Sequence, residues 1–154
     1  MTVLIDTNIV IALLKEDDYH HEWADRMFAQ LKASSAPLII PDIVYCEASV
    51  AMVTQEHIDQ AVAQLGLERL SPNEAALFRA GKAFKKYKDE NKGEKTGVLP
   101  DFLIGAMAEA LDVPILTADP KHFVGYFDNL DVVQPPKKAK GQAVAANDGA
   151  APGL

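Results

Sequence analysis

The chain has 154 residues, the length of one domain with a buried core, and its single cysteine, Cys46, excludes an internal disulfide and a zinc site built from several thiolates. No apolar run approaches the roughly 20 residues that span a bilayer, and the N-terminus lacks the basic and cleavable segments of a secretory signal, so we expect a cytoplasmic protein that does not enter a membrane. A formal net charge of −7 argues against a broad basic surface for nucleic acid, although a metal site also concentrates carboxylates.

Short apolar segments alternate with helical patterns over the first half of the chain. Residues 3–5 (Val-Leu-Ile) and 38–40 (Leu-Ile-Ile) have the uninterrupted apolar character of buried parallel strands. Helical periodicity follows each of them, and Thr7 is the expected cap of the first helix. We predict helices over residues 7–15, 20–33, 42–53 and 57–65.

The second half begins with a helix-start motif, Ser71-Pro72-Asn73-Glu74, which has the form of a capping box with Ser71 as the N-cap. This motif predicts a helix to about residue 91, followed by a polar loop over residues 92–97. A further helix is predicted over residues 101–111, and strands over residues 113–117 and 130–133. The apolar periodicity stops at residue 135, so we interpret residues 1–134 as the domain and residues 135–154 as a disordered polar tail.

Alternating strands and helices predict an α/β fold, a three-layer α/β/α sandwich around a short parallel sheet. In open parallel sheets, ligands bind beyond the carboxyl ends of the strands. Asp6 directly follows the first predicted strand and Asp119 follows the third, so we expect both at this edge. Asp101 joins them if the helix that it begins starts at the same edge.

Glu47 is a fourth acid of interest because it lies within a largely apolar helical segment. A buried carboxylate is costly unless a charge partner or a metal ion compensates it, and no basic residue lies one helical turn away. Each acid also has a purely structural interpretation: Asp6 and Asp101 as helix caps, Asp119 as a turn residue and Glu47 as a solvent-exposed side chain. Their positions together favour a shared site, but sequence spacing alone leaves both interpretations open.

Four motifs, each containing one of these acids, carry a specific resemblance. They are Leu4-Ile5-Asp6-Thr7-Asn8, Tyr45-Cys46-Glu47, Asp101-Phe102-Leu103-Ile104-Gly105-Ala106, and Leu116-Thr117-Ala118-Asp119 with Phe123. In this order they resemble the motifs of the PIN-domain nucleases and, more narrowly, of the VapC-type toxins of bacterial and archaeal toxin–antitoxin pairs. The resemblance extends over about residues 2–133.

The resemblance implies a metal-dependent endoribonuclease that hydrolyses RNA phosphodiesters. The implied Mg²⁺ or Mn²⁺ ligands are Asp6, Glu47, Asp101 and Asp119. Asn8 and Thr117 match the supporting polar positions of the catalytic site, which orient the carboxylates. A cognate antitoxin that covers the acidic cleft and a homodimer are also implied.

Two other functions stay open at this point. One is a housekeeping PIN nuclease in RNA processing, and the other is a non-catalytic partner in a DNA-bound repressor complex. A phosphoacceptor receiver domain, another parallel α/β fold, is disfavoured because it requires paired acids after the first strand, where Asp6 stands alone.

Basic residues near the acids are candidates for substrate contacts. Lys121 and His122 lie beside Asp119, and we predict that they contact a phosphate of the RNA. A lysine-rich run over residues 85–95 has acids interleaved with it, so we interpret it mainly as a solvated helix face. The remaining histidines, His20, His21 and His57, show no ligand-like pattern and are expected at the surface.

Overall fold

A computed structural model describes residues 1–92 and 97–137 of the chain. Residues 93–96 of the predicted loop and residues 138–154 of the predicted tail therefore lie outside the described residues. Residues 134–137, which are described, form neither helix nor strand.

In the described residues, a pair of helices separates each of the first three strands from the next, and the fifth strand follows the fourth without an intervening helix. The strands are β1 (Val3–Ile5), β2 (Leu38–Pro41), β3 (Leu67–Leu70), β4 (Ile115–Leu116) and β5 (Val132–Val133). The helices are α1 (Thr7–Leu14), α2 (His21–Ala33), α3 (Asp42–Ser49), α4 (Gln55–Leu65), α5 (Glu74–Glu90) and α6 (Leu99–Leu111). Within the described ranges, none of these helices combines the length and apolarity needed to cross a bilayer. The predicted α/β fold is confirmed.

All five strands are parallel and form one sheet in the order β3-β2-β1-β4-β5. The chain builds outward from β1 to β2 and β3 on one side, then returns to place β4 and β5 on the other side. β1 and β4 are thus the adjacent strands at which the strand order reverses, and ligands bind in the crevice beyond the carboxyl ends of such strands. Asp6 and Thr117 are the residues that directly follow these two strands.

Burial explains which strands the sequence reveals. All three residues of β1 and all four of β2 are buried, as expected for internal strands covered on both faces. β3 lies at an edge of the sheet, where Leu67 is buried but Glu68 and Arg69 are exposed. Because these two charged residues interrupt the apolar pattern, β3 is not among the strands predicted from the sequence.

Two predicted helix caps are wrong. Asp6, not Thr7, is the N-cap of α1, because the Asp6 Oδ1 accepts a hydrogen bond from the Thr7 amide at 2.6 Å. Asn73, not Ser71, caps α5, and its Oδ1 accepts from the amide of Ala76 at 2.8 Å. Aspartate and asparagine cap helices as well as serine or better, and both residues have the extended backbone that an N-cap requires.

α6 packs chiefly against α5, and its buried face is made of Phe102, Ile104 and four small or flexible residues that follow. Gly105 belongs to this face and lies directly against the ring of Phe127, a side chain that is itself buried. A Cβ at position 105 would lie 2.8 Å from Cζ and 2.9 Å from Cδ2 of this ring. The glycine therefore permits the close approach that fixes α6, and with it Asp101, relative to the following loop.

We predict that Gly105→Ala lowers the free energy of unfolding by about 1–3 kcal/mol, because the added methyl group overpacks the contact with Phe127. Gly81→Ala is the matched control, since Gly81 also lies within a helix but has no atom within 4 Å of the added Cβ. There the substitution should stabilise the protein by about 0.5–1 kcal/mol through helix propensity. Urea denaturation measures both changes, and equal effects at the two positions would contradict the packing argument.

Candidate active site

The four predicted acids line one cavity at the carboxyl ends of β1 and β4. Its volume is about 370 Å³. The lining residues are Asp6, Thr7, Asn8, Ile11, Asp18, His20, Glu47, Asp101 and Asp119. Four acids that are distant along the chain therefore share one concave surface, at the place that the strand order marks as a binding crevice.

Asp6 lies deepest, with 3% of the residue exposed. Its Oδ1 accepts from the Thr7 amide at 2.6 Å, and its Oδ2 accepts from the Thr117 hydroxyl at 2.7 Å and from the Asn8 Nδ2 at 3.2 Å. Burial raises the pKa of Asp6 to about 7, against the lowering effect of the Thr117 and Thr7 hydrogen bonds. The neighbouring charges of Asp101 and Glu47 raise the pKa further.

Thr117 and Asn8 hold the carboxylate of Asp6 in place through hydrogen bonds and also bond to each other. Thr117 is fully buried, and its hydroxyl also accepts from the Asp119 amide at 3.1 Å and from the Asn8 Nδ2 at 3.2 Å. The Asn8 Oδ1 accepts from the Ala118 amide at 3.0 Å. These bonds join the start of α1 to the segment after β4. Asn8 and Thr117 are the two residues that were predicted to orient the carboxylates.

Glu47 points from α3 toward the start of α1. Its Oε1 accepts a hydrogen bond from the Thr7 hydroxyl at 2.7 Å, and the residue is half-buried. The partner that the sequence could not identify is thus a neutral hydroxyl on another helix. A single neutral donor leaves most of the hydrogen-bonding capacity of a carboxylate unused.

Asp101 and Asp119 lie closer to solvent. Asp101 is in the first turn of α6, 34% of its side chain is exposed, and its Oδ2 is 2.5 Å from the Nδ1 of His122. Asp119 is exposed, and its Oδ1 accepts from the Lys121 amide at 3.2 Å, a turn contact of the kind that aspartate makes before proline.

Four residues that line the cavity were not predicted as site residues, namely Thr7, Ile11, Asp18 and His20. Asp18 and His20 lie in the segment between α1 and α2, and the Asp18 Oδ1 accepts from the His20 amide at 2.8 Å. This segment has no periodicity, so only the return of the chain against α1 brings it to the cavity. His20, predicted at the surface, is partly buried there.

The predicted substrate contacts are placed differently from one another. Lys121 is exposed beside Asp119, whereas His122 is buried and directed toward Asp101. Within the lysine-rich run, Lys85 forms an ion pair with Asp89 at 2.6 Å and Lys86 donates to the Gly125 carbonyl at 2.6 Å. Lys95 lies outside the described residues.

The donor set of the cavity fits a hard divalent cation. It offers carboxylate oxygens, which Mg²⁺ and Mn²⁺ prefer, and the mutual repulsion of Asp6, Asp101 and Glu47 is what a cation would relieve. In residues 1–92 and 97–137, no three acid, histidine or cysteine side chains stand close enough to form a complete metal cage. Mg²⁺ does not require such a cage, since it is commonly bound through one or two carboxylates, waters and substrate phosphates.

Comparisons with known proteins find one matching family model and several solved structures of similar fold. The sequence matches the family model described as the PIN domain over residues 3–126, and no curated protein sequence matches it. The fold is similar to VapBC2 from Rickettsia felis, solved bound to a promoter DNA fragment, with a TM-score of 0.65, 20% identity, and coverage of 88% of this chain and 100% of that one.

Two further solved structures are similar at comparable coverage. For VapBC-1 from nontypeable Haemophilus influenzae, the TM-score is 0.63 and the identity 21%, over 87% of this chain and 98% of that one. VapC20 from Mycobacterium tuberculosis is described as a Sarcin-Ricin loop cleaving toxin. Its TM-score is 0.57 and its identity 15%, over 84% of this chain and 98% of that one. At these identities the likeness establishes the fold.

The buried Asp6 predicts how stability depends on pH in metal-free protein. Its pKa is about 7 in the folded chain and near the ordinary 3.8 when unfolded, so only the folded state holds this proton between those values. The free energy of unfolding should therefore fall by a few kcal/mol as pH rises from about 4 to about 7, and level off above. Urea denaturation in chelator measures the slope.

Asp6→Asn is the control for this slope, because the amide does not titrate. The difference between the two proteins isolates Asp6 from the other acids of the chain. Parallel pH profiles for the two proteins would contradict the raised pKa.

Proposed function

Because the chain belongs to the PIN domain family, whose nucleases hydrolyse nucleic acids and generally use divalent metal ions, we propose that it is a Mg²⁺- or Mn²⁺-dependent endoribonuclease and the toxin of a toxin–antitoxin pair. The observation that carries this proposal is the convergence of Asp6, Glu47, Asp101 and Asp119 on one cavity beyond the sheet. The presence of all four acids in a common cavity, together with the Thr117 and Asn8 contacts to Asp6, supports an active rather than a degenerate site.

When bound, divalent cations supply charge stabilisation for the phosphodiester and lower the pKa of an attacking water. The oxygens of Asp6, Glu47, Asp101 and Asp119 are the groups that would hold them. Hydrolysis at the phosphorus atom with departure of the 3′ oxygen leaves a 5′ phosphate and a 3′ hydroxyl.

The protein's own contribution is orientation. The hydrogen bonds to Asp6 from Thr117, Asn8 and the Thr7 amide fix both of its oxygens, so little reorganisation remains when a cation binds. The Thr7 hydroxyl does the same for one oxygen of Glu47. A carboxylate held in place loses less conformational entropy when it acts as a ligand.

RNA is the substrate class we propose, and Lys121 is the phosphate contact with an exposed side chain beside the acids. Support comes from the fold shared with VapC20, which is described as a Sarcin-Ricin loop cleaving toxin. We also retain His122 in the site, although its buried ring faces Asp101 in this structure rather than solvent.

Protein partners follow from the same proposal. The VapBC structures with this fold motivate a cognate antitoxin that covers the acidic cavity with a basic side chain. Exposed apolar side chains, namely Val50, Val53, Leu77 and Phe78, provide surface for the antitoxin and for a homodimer. A neighbouring small open reading frame encoding a DNA-binding protein would favour the toxin over a housekeeping nuclease in RNA processing.

The purified protein, free of any partner, should cleave structured RNAs in Mn²⁺ or Mg²⁺ and should be inactive in chelator. Asp6→Asn and Asp101→Asn should each lower the rate by more than about 100-fold, because they remove proposed ligands rather than groups that support a ligand. Electrophoresis of end-labelled RNA measures the rate and identifies the product termini.

Asp89→Asn is the matched control, since Asp89 lies on α5 in an exposed ion pair with Lys85. The Asp89→Asn protein should cleave RNA at the same rate as the unchanged protein. Cleavage that survives in chelator, or in both active-site variants, would reject the mechanism. Metal binding without any cleavage would favour a non-catalytic role in a repressor complex.

A further inference from the structure

We propose that His122 is a positioning residue, which orients the carboxylate of Asp101 for the divalent cation by donating a hydrogen bond from Nδ1 to Oδ2. This inference rests on the proposed metal site and assigns to His122 a role other than phosphate contact. It starts from the 2.5 Å contact between these two atoms, which joins residues from α6 and the loop after β4.

The direction of this hydrogen bond follows from the chemistry of a metal ligand. A carboxylate must be ionised to bind a cation, and an ionised carboxylate has no hydrogen to donate. The hydrogen in the contact therefore belongs to His122 Nδ1. Donation to Oδ2 leaves Oδ1 of Asp101 available to the cavity.

The ring of His122 is held by aromatic packing. Its centroid lies 5.4 Å from that of Tyr87, edge to face, and 5.9 Å from that of Phe102, the residue next to Asp101. Tyr87 and Phe102 are buried, and only 9% of His122 is exposed. The same residue thus contacts both Asp101 and its chain neighbour, which fixes the carboxylate relative to the helix that carries it.

The surroundings of the other ring nitrogen, Nε2, indicate that His122 does more than fill space in the core. Nε2 of His122 is buried and has no hydrogen-bond partner among the described residues. A buried polar atom without a partner destabilises the fold, so a side chain selected for packing alone would be apolar. The histidine is explained by what Nδ1 does for Asp101.

Asp101 depends on this contact more than Asp6 depends on any single donor. Asp6 has three donors, whereas His122 is the one side chain in the described ranges that hydrogen-bonds the Asp101 carboxylate. With about a third of its side chain exposed, Asp101 would rotate toward water if the donor were lost. Hydrogen-bond partners of metal ligands typically change metal affinity or activity by about 10–100-fold.

The test compares Mn²⁺ affinity, measured by calorimetry on the purified full chain without RNA, with melting temperature in chelator. His122→Phe keeps an aromatic ring against Tyr87 and Phe102 but removes both nitrogens. It should weaken Mn²⁺ binding by about 10–100-fold, while the melting temperature stays unchanged or rises because the unpartnered Nε2 is gone.

His122→Asn should restore most of the Mn²⁺ affinity, since its amide nitrogen branches from the side chain at the same point as Nδ1. His57→Phe is the matched control, because His57 is exposed on α4 and lines a different cavity, and it should bind Mn²⁺ normally. In the unchanged protein, ¹⁵N NMR should find a hydrogen on Nδ1 of His122, a readout that does not require any variant to fold.

The proposal is overturned if His122→Phe binds Mn²⁺ as tightly as the unchanged protein, if His122→Asn restores nothing, or if Nδ1 carries no hydrogen. The unchanged protein's failure to bind Mn²⁺ would overturn it together with the metal site. If Mn²⁺ binding depends on His122 but the RNA remains uncleaved, only the nuclease proposal is rejected.

Discussion

The burial of the Asp6 carboxylate is the constraint around which the site is organised. A group that is 3% exposed and has a pKa of about 7 is held at a cost in stability once it is ionised, and three hydrogen bonds reduce that cost without removing it. A cation would offset the remainder, because it favours the ionised form and neutralises the repulsion from Asp101 and Glu47. Under the proposed function, stability and metal binding would therefore be linked through one residue.

Three successive residues at the end of β1 assemble the other elements around this carboxylate. Asp6 accepts from Thr117 after β4, Thr7 donates to Glu47 on α3, and Asn8 accepts from the amide of Ala118. Asp6 and Asn8 thus reach the segment after β4, at sequence separations of 111 and 110 residues, and Thr7 reaches α3 at a separation of 40 residues. Asp6 also caps α1 through Oδ1 while Oδ2 accepts from Thr117, so one carboxylate both starts a helix and joins it to the segment after β4.

The sequence predicted those features that local pattern determines. The apolar runs of β1 and β2 indicated a parallel sheet, and because ligands bind beyond the carboxyl ends of such strands, Asp6 and Asp119 were expected at one edge. Edge strand β3 escaped because Glu68 and Arg69 interrupt it, and the partner of Glu47 escaped because Thr7 is 40 residues away. His122 was predicted to contact a phosphate together with Lys121, since no periodicity reveals that the loop after β4 turns the His122 ring toward Tyr87.

The acids differ in exposure in a way that bears on the order of binding. Asp6 is buried, Asp101 has about a third of its side chain exposed, and Asp119 is exposed at the mouth. Because the chain carries a net charge of −7 and the cavity is lined by acids, a polyanion is repelled while the cavity holds no cation. Bound cations would reverse the sign of the local field, so under the proposed function cation binding would precede RNA binding, and Asp6, Asp101 and Asp119 would be the groups that hold the ion.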